Sequence, residues 1–194
     1  MATGIVKALS GSAALQAWQS PPFRRYFWSV LMSYSGRSLQ QTVIGYIVYD
    51  LTGSNFLLGL IAFMQLFPQL LLAPIVGVIV DNTERRRTLA VTYVIQATGF
   101  ALLGALALTG ALTIPAIAII VVVMGIAGSF TFPASSALLP NVVPREALQS
   151  AIATKSVIGN ISRIAPPPAA GFLLDFAGVG AVLLFGAGLY YPSA

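Results

Sequence analysis

Arg37 and Arg163 each sit in the middle of a long apolar stretch, and each has polar company at helical spacing. Arg37 shares a helical face with Tyr34, Ser38 and Gln41; Arg163 shares one with Ser156, Gly159 and Asn160. Guanidinium groups beside phenol, amide and hydroxyl groups bind carboxylates, phosphates and carbonyl oxygens, but they do not attack or cleave them. The residue types that covalent or metal chemistry needs are missing. The 194 residues include no cysteine and no histidine, which excludes disulfides, thiolate catalysis and any usual zinc site. No nucleophile motif and no phosphate loop of the form GxxxxGK[ST] occurs, so neither an enzyme nor an ATP-driven pump is expected, and no cofactor or metal is called for.

The elements that must position these residues follow from composition. Hydrophobic residues make up 57% of the chain and charged residues 8%, whereas a soluble domain has about a quarter of its residues charged. Most of the exterior must therefore face lipid. A hydrocarbon core of about 30 Å needs roughly 20 helical residues, and six segments approach or exceed that length: 27–48, 56–80, 88–110, 113–137, 151–174 and a shorter 176–191. This predicts an all-α membrane protein with six transmembrane helices. Ser54 or Asn55 is placed to cap the second helix, and Thr113 with Pro115 to open the fourth. Arg145 and Glu146 start the fifth near the surface, and within it Pro166, Pro167 and Pro168 must bend the chain. Counted from the start of each span, Arg37 lies about 15 Å in and Arg163 about 18 Å, both near the midplane and too deep to reach the headgroups easily. Polar groups at that depth usually face a protein interior.

Charge gives the orientation. Lys7, Arg24, Arg25, Arg85, Arg86, Arg87, Arg145 and Lys155 fall on one side if six helices alternate, and the opposite connectors hold only Asp50 and Asp175. This is the positive-inside pattern, with the N-terminus and the 82–87 loop cytoplasmic. The net charge of +5 is thus a topology signal, and no nucleic-acid partner is needed to explain it. No acid lies inside any span; Asp50, Asp81, Glu84, Glu146 and Asp175 are all at ends or in loops.

The chain also repeats itself at an offset of 94. Residues 67–81, FPQLLLAPIVGVIVD, lie against 161–175, ISRIAPPPAAGFLLD, matching Pro74 to Pro168, Gly77 to Gly171 and Asp81 to Asp175. The two pieces close the middle helix of successive three-helix units, at about 27–110 and 111–191, but face opposite sides. Inverted repeats have that property.

Residues 77–87, GVIVDNTERRR, put a glycine, an aliphatic run, an aspartate and a basic cluster in order. The stretch resembles the loop between the second and third helices of the major facilitator superfamily, with Asn82 and Glu84 departing from the usual pattern. The opening FRRYFWSVLMSYSGRSLQQTVIGYIVYDLTGS, the connector FPASSALLPNVVPREAL and the fifth-helix stretch SVIGNISRIAPPPAAGFLL look like the bacterial drug and siderophore exporters of that superfamily.

The resemblance implies a fold of two six-helix bundles enclosing a cavity, of which residues 23–194 would supply the N-terminal one after a cytoplasmic lead-in, 1–22. It implies a secondary transporter of the bacterial inner membrane, exporting small amphipathic drugs or siderophores in exchange for protons. Gly77, Asp81, Arg85 and Arg86 would form the gating loop, with Gly77 letting helices approach closely and Asp81 capping or pairing at the helix end. Tyr34, Arg37, Gln41, Ser156, Asn160 and Arg163 would line a basic cavity suited to anionic or carbonyl-rich substrates. The 16-residue last span and the missing basic central loop are read as a truncation before the C-terminal half, which a second copy could replace. A non-transporting membrane scaffold or partner subunit with this fold, or an inactive transporter fragment, is the alternative.

Overall fold

The computed structural model describes residues 21–143 and 148–190. These form α1 (Pro21–Thr52), α2 (Asn55–Asp81), α3 (Arg85–Leu108), α4 (Ile114–Val142), α5 (Leu148–Ile164) and α6 (Pro166–Tyr190). Of the expected lead-in, only Pro21 and Pro22 fall in this range, and they open α1; the start of the fifth helix at Arg145 and Glu146 lies outside the described residues.

Helix ends follow local chemistry. Ser54 caps α2, its Oγ accepting from the Leu57 amide at 3.3 Å. Helix α3 ends in a Schellman motif: Ala111 N–H donates to the Leu106 carbonyl and Gly110 N–H to the Ala107 carbonyl. Gly110 has φ 68°, which suits a residue without a Cβ. Thr113 is the N-cap of α4 by backbone conformation, without a side-chain bond, and Pro115 sits in the first turn.

Helices α2, α3 and α4, together with the joined stretch Leu148–Tyr190, are long and apolar enough to cross a membrane. The chain is thus an all-α, multi-pass membrane protein. Helix α1 is 32 residues long but more polar, because Ser33, Ser38 and Gln40 are buried along its inward side.

The fifth span is not one continuous helix. The chain breaks at Ala165, so that Pro166 opens α6 instead of interrupting α5. A proline has no N–H to donate and disfavours the helical conformation in the residue before it, but its fixed φ suits a helix's first position. A second discontinuity falls at Gly178, with φ 75° and ψ 165°, a backbone conformation that essentially only glycine adopts. The sequence placed this boundary at Asp175 and Phe176; the glycine three residues on is where the chain turns.

Contacts give the helix directions. Tyr26 hydroxyl donates to the Ser135 carbonyl at 2.9 Å and Gln40 Nε2 to Met124 Sδ at 3.3 Å, so α1 and α4 run antiparallel. Arg85 bonds the Ala137 carbonyl while Gln96 bonds that of Met124, making α3 and α4 antiparallel too. Beyond Gly178, Gly180 faces Leu108 and Gly186 faces Phe100, again antiparallel to α3. Ser35 with Ser162 and Ser38 with Arg163 make α1 and α5 parallel. The core is a cluster around Val43, Phe100, Leu103, Val121 and Leu183 of α1, α3, α4 and α6, to which α2 adds Ile61, Val76 and Val80. Between apolar lipid and apolar helices there is little hydrophobic driving force, so such close packing must carry the association.

Candidate functional site

The two polar faces read from the sequence converge. Tyr34, Arg37, Gln41, Ser156, Asn160 and Arg163 all line one cavity of about 1040 Å³, bounded mainly by α1, α4 and α5. The parallel seam of α1 and α5 brings them together: Ser35 Oγ donates to Ser162 Oγ at 3.3 Å, and Ser38 Oγ reaches the Arg163 carbonyl at 3.5 Å. Gly159 leaves room for the Tyr34 ring, which lies 3.5 Å from where a Cβ would stand.

Arg37 is held as well as presented. Its Nη2 donates to Gln69 Oε1 at 2.8 Å, and Gln69 is itself tied by its Nε2 to the Gln65 carbonyl at 3.2 Å. A polar arm from α2 therefore fixes the guanidinium while the cavity takes its other donors. Arg163, in the last turn of α5, lines the wall without a side-chain hydrogen bond among the described residues.

The sequence counted Lys155 among the topology charges, but the structure turns it into the cavity. Its Nζ donates to Ser135 Oγ at 3.0 Å and Ser136 Oγ at 2.7 Å and lies 4.9 Å from the Phe132 ring centroid. The signal was present in the spacing, since residues 152, 155, 156, 159, 160 and 163 form one helical stripe. Three cations thus face the cavity, and no carboxylate lines it among the described residues.

The 77–87 stretch is arranged differently from the expectation. A Cβ at Gly77 would meet nothing within 4 Å, so Gly77 mediates no close helix approach among the described residues. That role belongs to Gly125, where a Cβ would run into the Gln65 carbonyl of α2. Nor does Asp81 cap its helix. The end of α2 is sealed by Asn82 Nδ2 on the Val78 carbonyl and Thr83 Oγ1 on the Ile79 carbonyl, both at 2.8 Å. Asp81 is exposed and makes no bond among the described residues. Arg85 reaches across to the Ala137 carbonyl at 3.0 Å, near the C-terminal end of α4, where the helix dipole favours a cation. Arg86 is exposed.

Residues 12–191 match the family described as transmembrane secretion effector. The chain belongs to that family, within the major facilitator superfamily. It is similar to macrolide efflux protein A of Streptococcus pyogenes, 26% identical over 145 residues, which is 75% of this chain and 36% of that protein. The protein of the same name from the serotype M6 strain of that species matches with the same figures. The chain spans about a third of the length of these relatives. Members of the transmembrane secretion effector family are transporters, so the chain is not an enzyme. Gln69 went unread in the sequence because it sits in an apolar run without charge, and only its bond to Arg37 reveals its role.

Proposed function

We propose that the chain forms one six-helix half of a secondary transporter, built as two inverted three-helix repeats, that exports small anionic or carbonyl-rich amphiphiles. The observation that carries this reading is the cavity in which Arg37, Lys155 and Arg163 converge without a carboxylate among the described residues. At membrane depth a positive charge is worth most against a negative partner, because little water screens it. The apolar share of the lining, with Leu66, Phe132 and Ile152, suits the carbon skeleton of such a molecule. The opposite wall would come from a C-terminal half or from a second copy of this chain. The open surroundings of both Gly77 and Gly171, equivalent in the repeat, fit faces that meet another bundle. The reading places the chain in the bacterial inner membrane with the N-terminus and 82–87 loop cytoplasmic. With no acid facing the cavity among the described residues, proton coupling would fall to Asp81, to residues beyond this chain or to the substrate's own titration.

The name of the relatives favours a second reading, export of macrolides. Flux into proteoliposomes separates the two. A catecholate siderophore should be transported in preference to a macrolide and to cationic ethidium. Preference for ethidium would overturn the anion reading, and preference for the macrolide would select the alternative.

A further inference from the structure

Helix α4 has a second face unrelated to the cavity. Val123, Ile126, Ala127 and Phe130 recur at helical spacing, and Val123 lies nine residues, about half a turn in angle, from the cavity residue Phe132. Opposite them on α3 runs the stripe Glu84, Arg87, Thr88, Val91, Thr92 and Ile95. Together they bound a groove of about 560 Å³ that shares no residue with the cavity.

The groove is amphiphilic along its length. Thr92 and Ala127, 3% and 4% exposed, form its floor, while Val91, Val123 and Ile126 are exposed walls. The Thr92 hydroxyl is spent on the Thr88 carbonyl, so the floor offers no free donor. From Glu84 to Ile95 the α3 stripe rises about 16 Å, close to the roughly 15 Å of hydrocarbon in one leaflet. A polar mouth closes one end. There Arg87 is exposed and makes no hydrogen bond or ion pair among the described residues, whereas its neighbour Arg85 is committed to the Ala137 carbonyl. The hydroxyls of Thr83 and Thr88, 3.0 Å apart, lie beside it.

We propose that this groove is a binding site for one glycerophospholipid, with an acyl chain between α3 and α4 and its phosphodiester on Arg87. An anionic phosphate answers the free guanidinium, and a chain of one leaflet's length answers the apolar slot. Neither half suffices alone: the slot without Arg87 would be ordinary lipid-facing surface, and Arg87 without the slot would be one more loop cation. The site does not depend on what the cavity transports.

Native mass spectrometry of the delipidated chain, titrated with dipalmitoyl phosphatidylglycerol, tests the proposal, with dipalmitoylglycerol and glycerol phosphate as the arms that lack either the phosphate or the chains. One phosphatidylglycerol should bind ahead of the rest, and both incomplete molecules should bind weakly. Arg87→Gln should weaken the phospholipid about fivefold, the worth of one basic residue near a lipid surface, and leave dipalmitoylglycerol unchanged. Val91→Trp should fill the slot and abolish the preferred binding. Val94→Trp, at a 55% exposed position of α3 outside the groove, should not. Equal binding of dipalmitoylglycerol, no effect of Arg87→Gln, or equal damage from Val94→Trp would overturn the site. Equal binding of glycerol phosphate would reduce it to a phosphate contact and overturn the lipid.

Discussion

The seam between α3 and the last part of α6 and the seam between α1 and α5 are built on opposite principles. In the first, glycines meet large side chains: a Cβ on Gly186 would stand 2.7 Å from the Phe100 ring, and one on Gly104 3.1 Å from Leu184. Phe100, Leu183 and Tyr190 are buried there, and the rings of Phe100 and Tyr190 lie 5.8 Å apart. In the second, Ser35 Oγ meets Ser162 Oγ at 3.3 Å and Ser38 Oγ meets the Arg163 carbonyl at 3.5 Å, beside the cavity that both helices line. The difference teaches where the bundle is a wall and where it is a working surface. Interlocked glycine packing leaves no room to yield, while a hydroxyl seam between membrane helices contributes only about 0.6 kcal/mol per bond and can part.

The largest expected effect is therefore on the wall. Gly186→Leu forces a branched side chain into the space of Phe100, and overpacking of a buried contact costs about 1–3 kcal/mol. The detergent-solubilised variant should melt well below the parent, and Phe100→Ala in the same chain should recover part of the loss. A Gly186→Leu protein as stable as the parent would erase the distinction between the seams. The smallest effect is expected on the working surface. Ser35→Ala with Ser162→Ala removes one hydroxyl contact, so the melting temperature should barely move, by the equivalent of about 0.6 kcal/mol. A drop as large as that of Gly186→Leu would mean that the α1 and α5 seam holds the bundle.

Sequence periodicity and polarity carried much of the site. Deep arginines among amides and hydroxyls marked the Arg37 and Arg163 faces as interior, because burying such groups in lipid is costly, and the family resemblance is what implied that the two faces share one cavity. Lys155 was counted as a topology charge alone because of its nearness to the span boundary at Ala151, although its helical register with Ser156 and Arg163 pointed to the cavity that it lines. Gly77 meets no close neighbour and Asp81 makes no bond among the described residues. Their order along the chain resembles a motif, but a motif does not say which neighbour fills the space, and here α2 is met by Gly125 of α4. The boundary at Gly178 was hidden because that glycine is one of several in an apolar run, and nothing local marks the one whose φ turns positive. The hold of Gln69 on Arg37 was illegible for a simpler reason: Gln69 comes from another helix, 32 residues along the chain.

Export of anions depends most directly on the cavity's charge. Equilibrium binding of a catecholate siderophore and of an uncharged analogue of the same size should be compared in the parent, Arg37→Gln, Lys155→Gln and Arg163→Gln. If the cations face the substrate, each removal should weaken the anion by about tenfold, the equivalent of roughly 1.4 kcal/mol, and leave the neutral analogue within about twofold. Equal losses for both ligands, or no preference for the anion in the parent protein, would contradict it.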